Sequence, residues 1–236
     1  MYKRISNDTI QNTINHRPWP LPSKPWLYYQ EWNDPVFMHW RVKPEDLRSL
    51  IPQELELDTI NGEAWISLVP FTIVIKPRFL PAFPAVSTFD EVNLRTYVKH
   101  QGKTGVYFLN IEGSKRISCW LARVLSGLPY RFARMHRQGE AFSSVNKRQN
   151  NALKISYKPG KFIRKPNATD LWLSERYALF TVNNKRVNTF EIHHLPWALQ
   201  RVNISDCEID YAGYKHLIGG QPDITHYSKG VQVLAY

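Results

Sequence analysis

Only two cysteines, Cys119 and Cys207, occur in the 236 residues, far apart and in no Cys-x-x-Cys arrangement. That excludes a disulfide framework and a zinc-cluster signature, and it points to a reduced, cytoplasmic protein. Long apolar runs are also missing. The longest, residues 65–75, is broken by Pro70 and falls well short of the roughly 20 residues that cross a bilayer as a helix, so no membrane insertion is expected. Residues 1–17 have no apolar centre and no small-residue cleavage site, and so do not read as a secretory signal. There is no Gly-x-Gly-x-x-Gly, no phosphate-binding loop and no Gly-x-Ser-x-Gly elbow. Glu191 and His193 share one face of an extended segment while His194 points away, and Asp223-x-x-His226 reads as a turn as readily as a ligand pair. No metal and no cofactor are expected.

Acidic residues are scarce in one place in particular. Between Gly113 and Pro166 there are thirteen Lys or Arg against a single acid, Glu140, within a chain of net charge +11. Such asymmetry suits an anionic partner, whether nucleic acid, an anionic surface or an acidic metabolite, and it suits equally a solvated basic face. Aromatics, by contrast, are plentiful, with 8 Trp, 12 Tyr and 11 Phe, enough for a sizeable core. With no repeat and no Gly/Ser linker, residues 1–236 read as one domain. Five Pro and three Trp in residues 16–35 predict that residues 1–35 form an extended arm wrapped on the body.

Residues 43–52 carry a Pro start, early acids and Leu47, Leu50 and Ile51 at helical spacing, which predicts a short helix. Residues 63–76 read as a strand after the Asn61-Gly62 turn, and residues 91–100 and 104–111 as a hairpin around Gln101–Lys103. Ser114 then caps a predicted helix whose Ile117, Trp120, Leu121, Val124 and Leu125 form one apolar stripe, ended by Gly127 and Pro129. Strands are expected at 130–137, 141–145 and 152–157, with a further hairpin at 178–182 and 186–193. The pattern predicts an α+β domain on a large antiparallel sheet.

Strand alternation puts Asn93, Arg95 and Tyr97 on one face and Leu94, Thr96 and Val98 on the other. Inside a barrel mouth, the first set would recognise a carboxylate; on the outside it is an ordinary solvent face. Glu175, in the segment Leu173–Tyr177, is a candidate counter-ion for such an Arg, or the acid of an acid/base pair. Neither cysteine has the surroundings of an activated nucleophile.

Residues 16–22 (HRPWPLP), 93–98 (NLRTYV), 127–130 (GLPY) with 133–135 (ARM), 173–177 (LSERY) and 194–197 (HLPW) resemble, in order and spacing, the YqjF-like family of uncharacterised bacterial proteins. The resemblance runs over nearly the whole chain and implies the acetoacetate-decarboxylase-like superfamily, whose fold is a cone-shaped antiparallel β-barrel with a few short helices and an interior small-molecule pocket. Acetoacetate decarboxylases carry a Gly-Arg-Glu helix end followed by a lysine pair that forms a Schiff base with the substrate. The matching segment here is residues 122–131. Arg123 stands at that Arg, Val124 at the Glu, and Tyr130 and Arg131 at the two lysines. Neither a phenol nor a guanidinium forms an imine, so the covalent route is expected to be absent.

Alternation from an inward Tyr130 would turn Phe132 and Arg134 inward and Arg131 outward. The expected ligand site is therefore Asn93, Arg95, Tyr97, Tyr130, Phe132, Arg134 and Glu175, with Glu175 pairing the inward Arg and the ligand a small anionic or carbonyl-containing molecule. The alternative is a non-covalent lyase, hydratase or aldol-type enzyme with Tyr130 as acid and Glu175 as base. A third reading is a nucleic-acid or anionic-surface binder acting through residues 113–166.

Overall fold

The computed structural model describes residues 5–80 and 84–236. In chain order the elements are α1 (Asn7–Asn12), β1 (Tyr28–Asn33), β2 (Val36–Val42), α2 (Pro44–Arg48), β3 (Glu56–Leu57), β4 (Ala64–Pro77), α3 (Pro84–Ser87), β5 (Thr88–His100), β6 (Lys103–Gly113) and α4 (Arg116–Ser126). They continue as β7 (Tyr130–Phe132), β8 (Arg134–Gln138), β9 (Ala141–Asn146), β10 (Asn151–Phe162), α5 (Ala168–Ser174), β11 (Ala178–Asn183), β12 (Arg186–His194), β13 (Leu199–Tyr211), β14 (Ile224–Ser228) and β15 (Gly230–Ala235). This is a mostly-strand α+β fold with few, short helices.

β4 organises the sheet. Along one edge it pairs with β5 from Ile66 to Val74. On the other edge, its first half pairs with β2 (Ala64–Leu68) and its second half with β1 (Thr72–Pro77). Pro70 falls in the interval that neither partner reaches, where a missing N–H is tolerated. The pairings β4–β5–β6–β11–β12–β15–β1–β4 return on themselves, a ring of seven strands. The remaining strands continue from β2 through β14, β13, β10 and β9 to β8. They fold back on the outside of β4 and β5, where Leu68, Leu94, Phe142, Leu153 and Ile155 form a shared core. Each such side chain contributes about 1.5–3 kcal/mol through burial.

The hairpin turns are as the sequence predicts: Asn61-Gly62 and Gln101-Gly102 adopt positive φ at both central residues, which matches the twist of the strands they join. Four expectations are corrected. Pairing is not wholly antiparallel, because β6 runs parallel to both β11 and β7; the chain between β6 and β11 is long enough for a crossover. Residues 1–35 are not one extended arm. Residues 7–12 form a helix capped by Ser6, and residues 28–33, free of Pro and rich in aromatics, form β1 inside the ring. Ser114 does not cap α4. Its Oγ accepts from Asp90 N–H, and Lys115 takes the N-cap position.

The fourth correction concerns the face of α4. Ile117, Trp120, Val124 and Leu125 are exposed, and the inward face is Ser118 and Cys119 with the half-buried Leu121 and Ala122 beside them. The small face wins because α4 lies close against β6: a Cβ on Gly113 would stand 2.7 Å from the Cys119 sulfur.

Candidate functional site

The strand face that the sequence marked is the interior one. Alternation along β5 turns Glu91, Asn93, Arg95 and Tyr97 into the ring, while Val92, Leu94 and Val98 pack outward against the outer strands. β6 carries an extra residue, Leu109, opposite the Leu94/Arg95 step. Such a bulge re-aims the side chains beside it.

A cavity of about 800 Å³ occupies the interior. Glu91, Asn93 and Arg95 of β5, Tyr130 of β7, Arg176 after α5 and His194 at the end of β12 line it. Its remaining walls are chiefly aromatic and aliphatic. The exposed residues of its lining, Lys24, Leu27, Leu80, Leu125, Asn188 and Thr189, mark where it reaches the surface.

Arg95 is 8% exposed, and its Nε and Nη2 have no hydrogen-bond partner among the described residues. Its guanidinium lies 5.6 Å from the Phe37 ring centroid. Arg176, 5% exposed, is held differently. Its Nε donates to the Trp172 carbonyl at 2.7 Å and its Nη1 to Asp58 at 2.7 Å, leaving Nη2 without a partner among the described residues. Burial pulls the Arg176 pKa down; Asp58 opposes this, and Arg95 pulls it down further. Asp58 also takes Lys99 at 3.2 Å. Asp58 is thus already shared between two cations, and Arg95 has no salt-bridge partner among the described residues. A buried cation without a counter-ion is costly, and a bound anion removes the cost.

Near Arg95 on the same wall, Glu91 is 3% exposed. Tyr130 donates its phenolic hydrogen to Glu91 Oε2 at 2.7 Å, and Asn93 Nδ2 donates to Oε1 at 3.3 Å. Burial raises the Glu91 pKa to about 7 despite those two donors. Tyr130 is pushed well above the ordinary phenol range, first by burial and then by Glu91. His194 is fully buried; its Nδ1 must donate to the Leu195 carbonyl at 2.7 Å, which leaves Nε2 as an acceptor with no partner among the described residues. Burial lowers its pKa. A cation pair, a carboxyl group poised near neutrality and an imidazole acceptor therefore converge in one apolar cavity.

Behind Arg95 the polar groups continue in a buried chain. Asp170 Oδ1 meets His226 Nε2 at 2.9 Å, His226 Nδ1 meets His39 Nε2 at 3.2 Å, and His39 Nδ1 meets Ser67 Oγ at 2.6 Å. Ser67 Oγ then meets the Tyr97 hydroxyl at 2.7 Å, and that hydroxyl lies 3.0 Å from the Leu173 carbonyl. Burial lowers the pKa of both histidines, and for His39 the neighbouring His226 and Arg95 add to it.

Of the seven residues expected at the site, Asn93, Arg95 and Tyr130 line the cavity. Tyr97 lies on the same face but beyond the cavity, beneath the Arg176 guanidinium at 4.7 Å. Phe132 and Arg134 are corrected. The strand breaks at Ala133, whose N–H bonds the Gly113 carbonyl, so β7 follows β6 whereas β8 joins β9, and alternation does not carry across. Arg134 is exposed, and Phe132 lies under the Arg116 guanidinium at 4.1 Å. Among the described residues Glu175 pairs with no arginine. It accepts from the Tyr177 hydroxyl and from Trp197 N–H at 2.9 Å, fixing the turn after β12. Arg131 is exposed, as expected. The basic segment spreads over α4 and β7 to β10, and its Arg137 is folded inward over the Phe142 ring and paired with Asp90. Cys119 is packed, with its thiol pushed up to about 11 by burial.

Sequence reasoning missed Glu91, Arg176, Asp58 and His194. Glu91 was within reach, since it is two residues before Asn93 on the same alternating face. Asp58 and Arg176 lie 118 residues apart and carry no local signal.

Comparison with known proteins agrees with this architecture. The chain is 37% identical over 224 residues to the uncharacterized protein YqjF of Bacillus subtilis (strain 168), covering 91% of this chain and 92% of that one. Among solved structures, an acetoacetate decarboxylase from Legionella pneumophila superposes with a TM-score of 0.59 at 12% identity, covering 100% of this chain and 96% of that one. An acetoacetate-decarboxylase-like enzyme from Sphingomonas wittichii RW1 gives 0.59 at 16% identity, over 88% and 91%. The enduracididine biosynthesis enzyme MppR complexed with pyruvate gives 0.56 at 13%, over 93% and 92%. Identities this low carry the fold alone. A family model described as an uncharacterized conserved protein, DUF2071, matches residues 29–232, and with the YqjF relationship this establishes that the chain belongs to the DUF2071 family.

Proposed function

We propose that the seven-stranded ring is the cone-shaped barrel of the acetoacetate-decarboxylase-like superfamily and that its cavity binds a small anionic or carbonyl-containing ligand without covalent lysine catalysis. The observation that carries this reading is Arg95, nine-tenths buried at the cavity with two nitrogens unpaired. A carboxylate there would accept charge-assisted hydrogen bonds from Arg95 and from the free Nη2 of Arg176. Two facts support a non-covalent mode. Tyr130 stands where the resemblance places a lysine, and among the described residues the one lysine of the lining, Lys24, is exposed at the rim. The MppR structures, whose ligands are pyruvate and a condensation product of pyruvate, support 2-oxo acids as the first compounds to try. Two free cysteines support placement in the reducing cytoplasm.

Calorimetric titration with a set of monocarboxylic and 2-oxo acids tests the reading. Wild type should bind some member, and Arg95→Met should lose about 2–5 kcal/mol of that affinity. Unchanged binding by the variant refutes the anchor, and imine trapping by borohydride with a 2-oxo acid refutes the non-covalent mode.

The Glu91–Tyr130 pair favours a second reading, acid/base catalysis of the lyase, hydratase or aldol type, in which Glu91 takes the role first assigned to Glu175. A carboxyl group with a pKa near 7 is matched to proton exchange at neutral pH. Deuterium wash-in beside the carbonyl of a bound 2-oxo acid should occur in wild type and vanish in Glu91→Gln. No wash-in for any bound compound removes this reading.

A further inference from the structure

The register of β4 against β5 gives the cavity a direction. Ser67 pairs with Arg95, Val69 with Asn93, Phe71 with Glu91 and Ile73 with Phe89. Since alternate residues face inward, the wall passes from cationic to polar to wholly apolar over six residues of β5, about 20 Å at the rise of a strand. Beyond Ile73 the same face continues with Ile75, and the cavity then reaches the surface near Leu27 and Leu80. The cavity also opens at Asn188 and Thr189, which lie across β11 and β6 from Arg95, so the charged end is the buried wall beside that opening and the apolar stretch leads away from it toward Leu27 and Leu80. Past Glu91 toward Leu27 and Leu80 the lining is mostly hydrocarbon, β4 and β5 on one side and Leu121 and Leu128 on another, with Gln30, Ser87 and Ser118 among them.

Size sharpens the point. At the ~30 Å³ a water molecule occupies in the liquid, the six heavy atoms of a three-carbon 2-oxo acid would fill under a quarter of this space. Such a ligand would leave the apolar stretch bare, and an apolar surface of this extent stabilises a complex only when something apolar covers it.

We infer that the ligand is an amphipathic monocarboxylate, its carboxylate against the buried Arg95 and Arg176 and an apolar body of roughly eight to twelve carbons running toward the opening at Leu27 and Leu80. This rests on the anionic-ligand reading above. A hydroxyl or carbonyl part-way along that body would meet Asn93, Glu91 and Tyr130.

The test is a chain-length series of straight-chain monocarboxylates, from butanoate to dodecanoate, titrated into the wild-type protein below their micelle concentrations. The matching primary alcohols are run beside them, and the acids are repeated with Arg95→Met. Affinity should climb about fourfold per added methylene, the acids should exceed the alcohols at every length, and the variant should weaken acids at least tenfold. Acids that beat their alcohols but show no climb with length overturn the amphipathic ligand and leave the anionic-ligand reading standing. Acids and alcohols that climb alike with no acid preference overturn the carboxylate anchor and with it the reading beneath. The wild-type comparison needs no variant to fold.

Discussion

Replacing Glu91 by Gln should change how stability depends on pH, in a sense the structure dictates. The Glu91 carboxyl group is buried with only Tyr130 and Asn93 as donors, and its pKa rises from an ordinary 4.5 to about 7. Between those two values the folded chain holds a proton that the unfolded chain has released. Folding stability from this group is therefore fully present below pH 4.5 and is lost as pH rises through 7. At about 1.4 kcal/mol per unit, the whole effect is about 3 kcal/mol, of which some 2–3 kcal/mol falls between pH 5 and 8. A glutamine side chain in this place is a close isostere of the protonated acid and cannot titrate. Urea unfolding of wild type and Glu91→Gln should give similar stabilities at pH 5, with the variant pulling ahead by about 2–3 kcal/mol at pH 8. Taking the difference between the two proteins cancels every other titrating group. Tyr130→Phe removes a donor that favours the carboxylate, so its stability loss should move to higher pH. Parallel curves for wild type and Glu91→Gln at every pH, or a variant that falls behind as pH rises, would refute the placement of this carboxyl group in an apolar site.

Three further outcomes are expected. Gly105→Ala should destabilise the fold by about 1–3 kcal/mol or more, because a Cβ there would press on the Ala178 carbonyl and stand 2.7 Å from Phe180, where β6 meets β11; unfolding by denaturant checks it. Asp58→Ala should cost about 3–5 kcal/mol, since it strands the buried Arg176 charge, and thermal unfolding would register this as a large drop in Tm. Trp120→Gln should stay within about 0.5 kcal/mol of wild type despite the size of the side chain, because Trp120 is on the exposed face of α4; a loss of several kcal/mol would mean that face is covered.

The legible parts of the sequence were those governed by short-range rules. Two-residue turns needing positive φ, and the period of two along β5, gave the hairpins and set Asn93 and Arg95 on one face. What escaped depended on long-range geometry. Alternation from Tyr130 to Arg134 assumed one strand, but two different neighbours claim the chain on either side of Ala133. The stripe on α4 assumed that the apolar side of a helix is the buried one. Here the approach to β6 sets the small Cys119 against Gly113, and of the apolar stripe only Leu121 turns partly inward, so steric fit overrides hydropathy. The partners of the buried cations could not be read, because ion pairing across 118 residues leaves no trace in local pattern.

The buried chain from Asp170 to Leu173 can be counted in hydrogens. It has five contacts of 3.2 Å or less, but neutral His226, His39, Ser67 and Tyr97 bring one hydrogen each along it, four in all. With both imidazoles held neutral by burial, the line is one proton short. Tyr97 gives its hydrogen to the Leu173 carbonyl, which can only accept, so Ser67 donates to Tyr97 and His39 Nδ1 to Ser67. With His226 Nε2 turned to Asp170, the bare link is the longest of the five, at 3.2 Å, where His226 Nδ1 and His39 Nε2 face each other as two lone pairs. A fifth proton placed there would complete the line from the Asp170 carboxylate to the Leu173 carbonyl, three residues before Arg176.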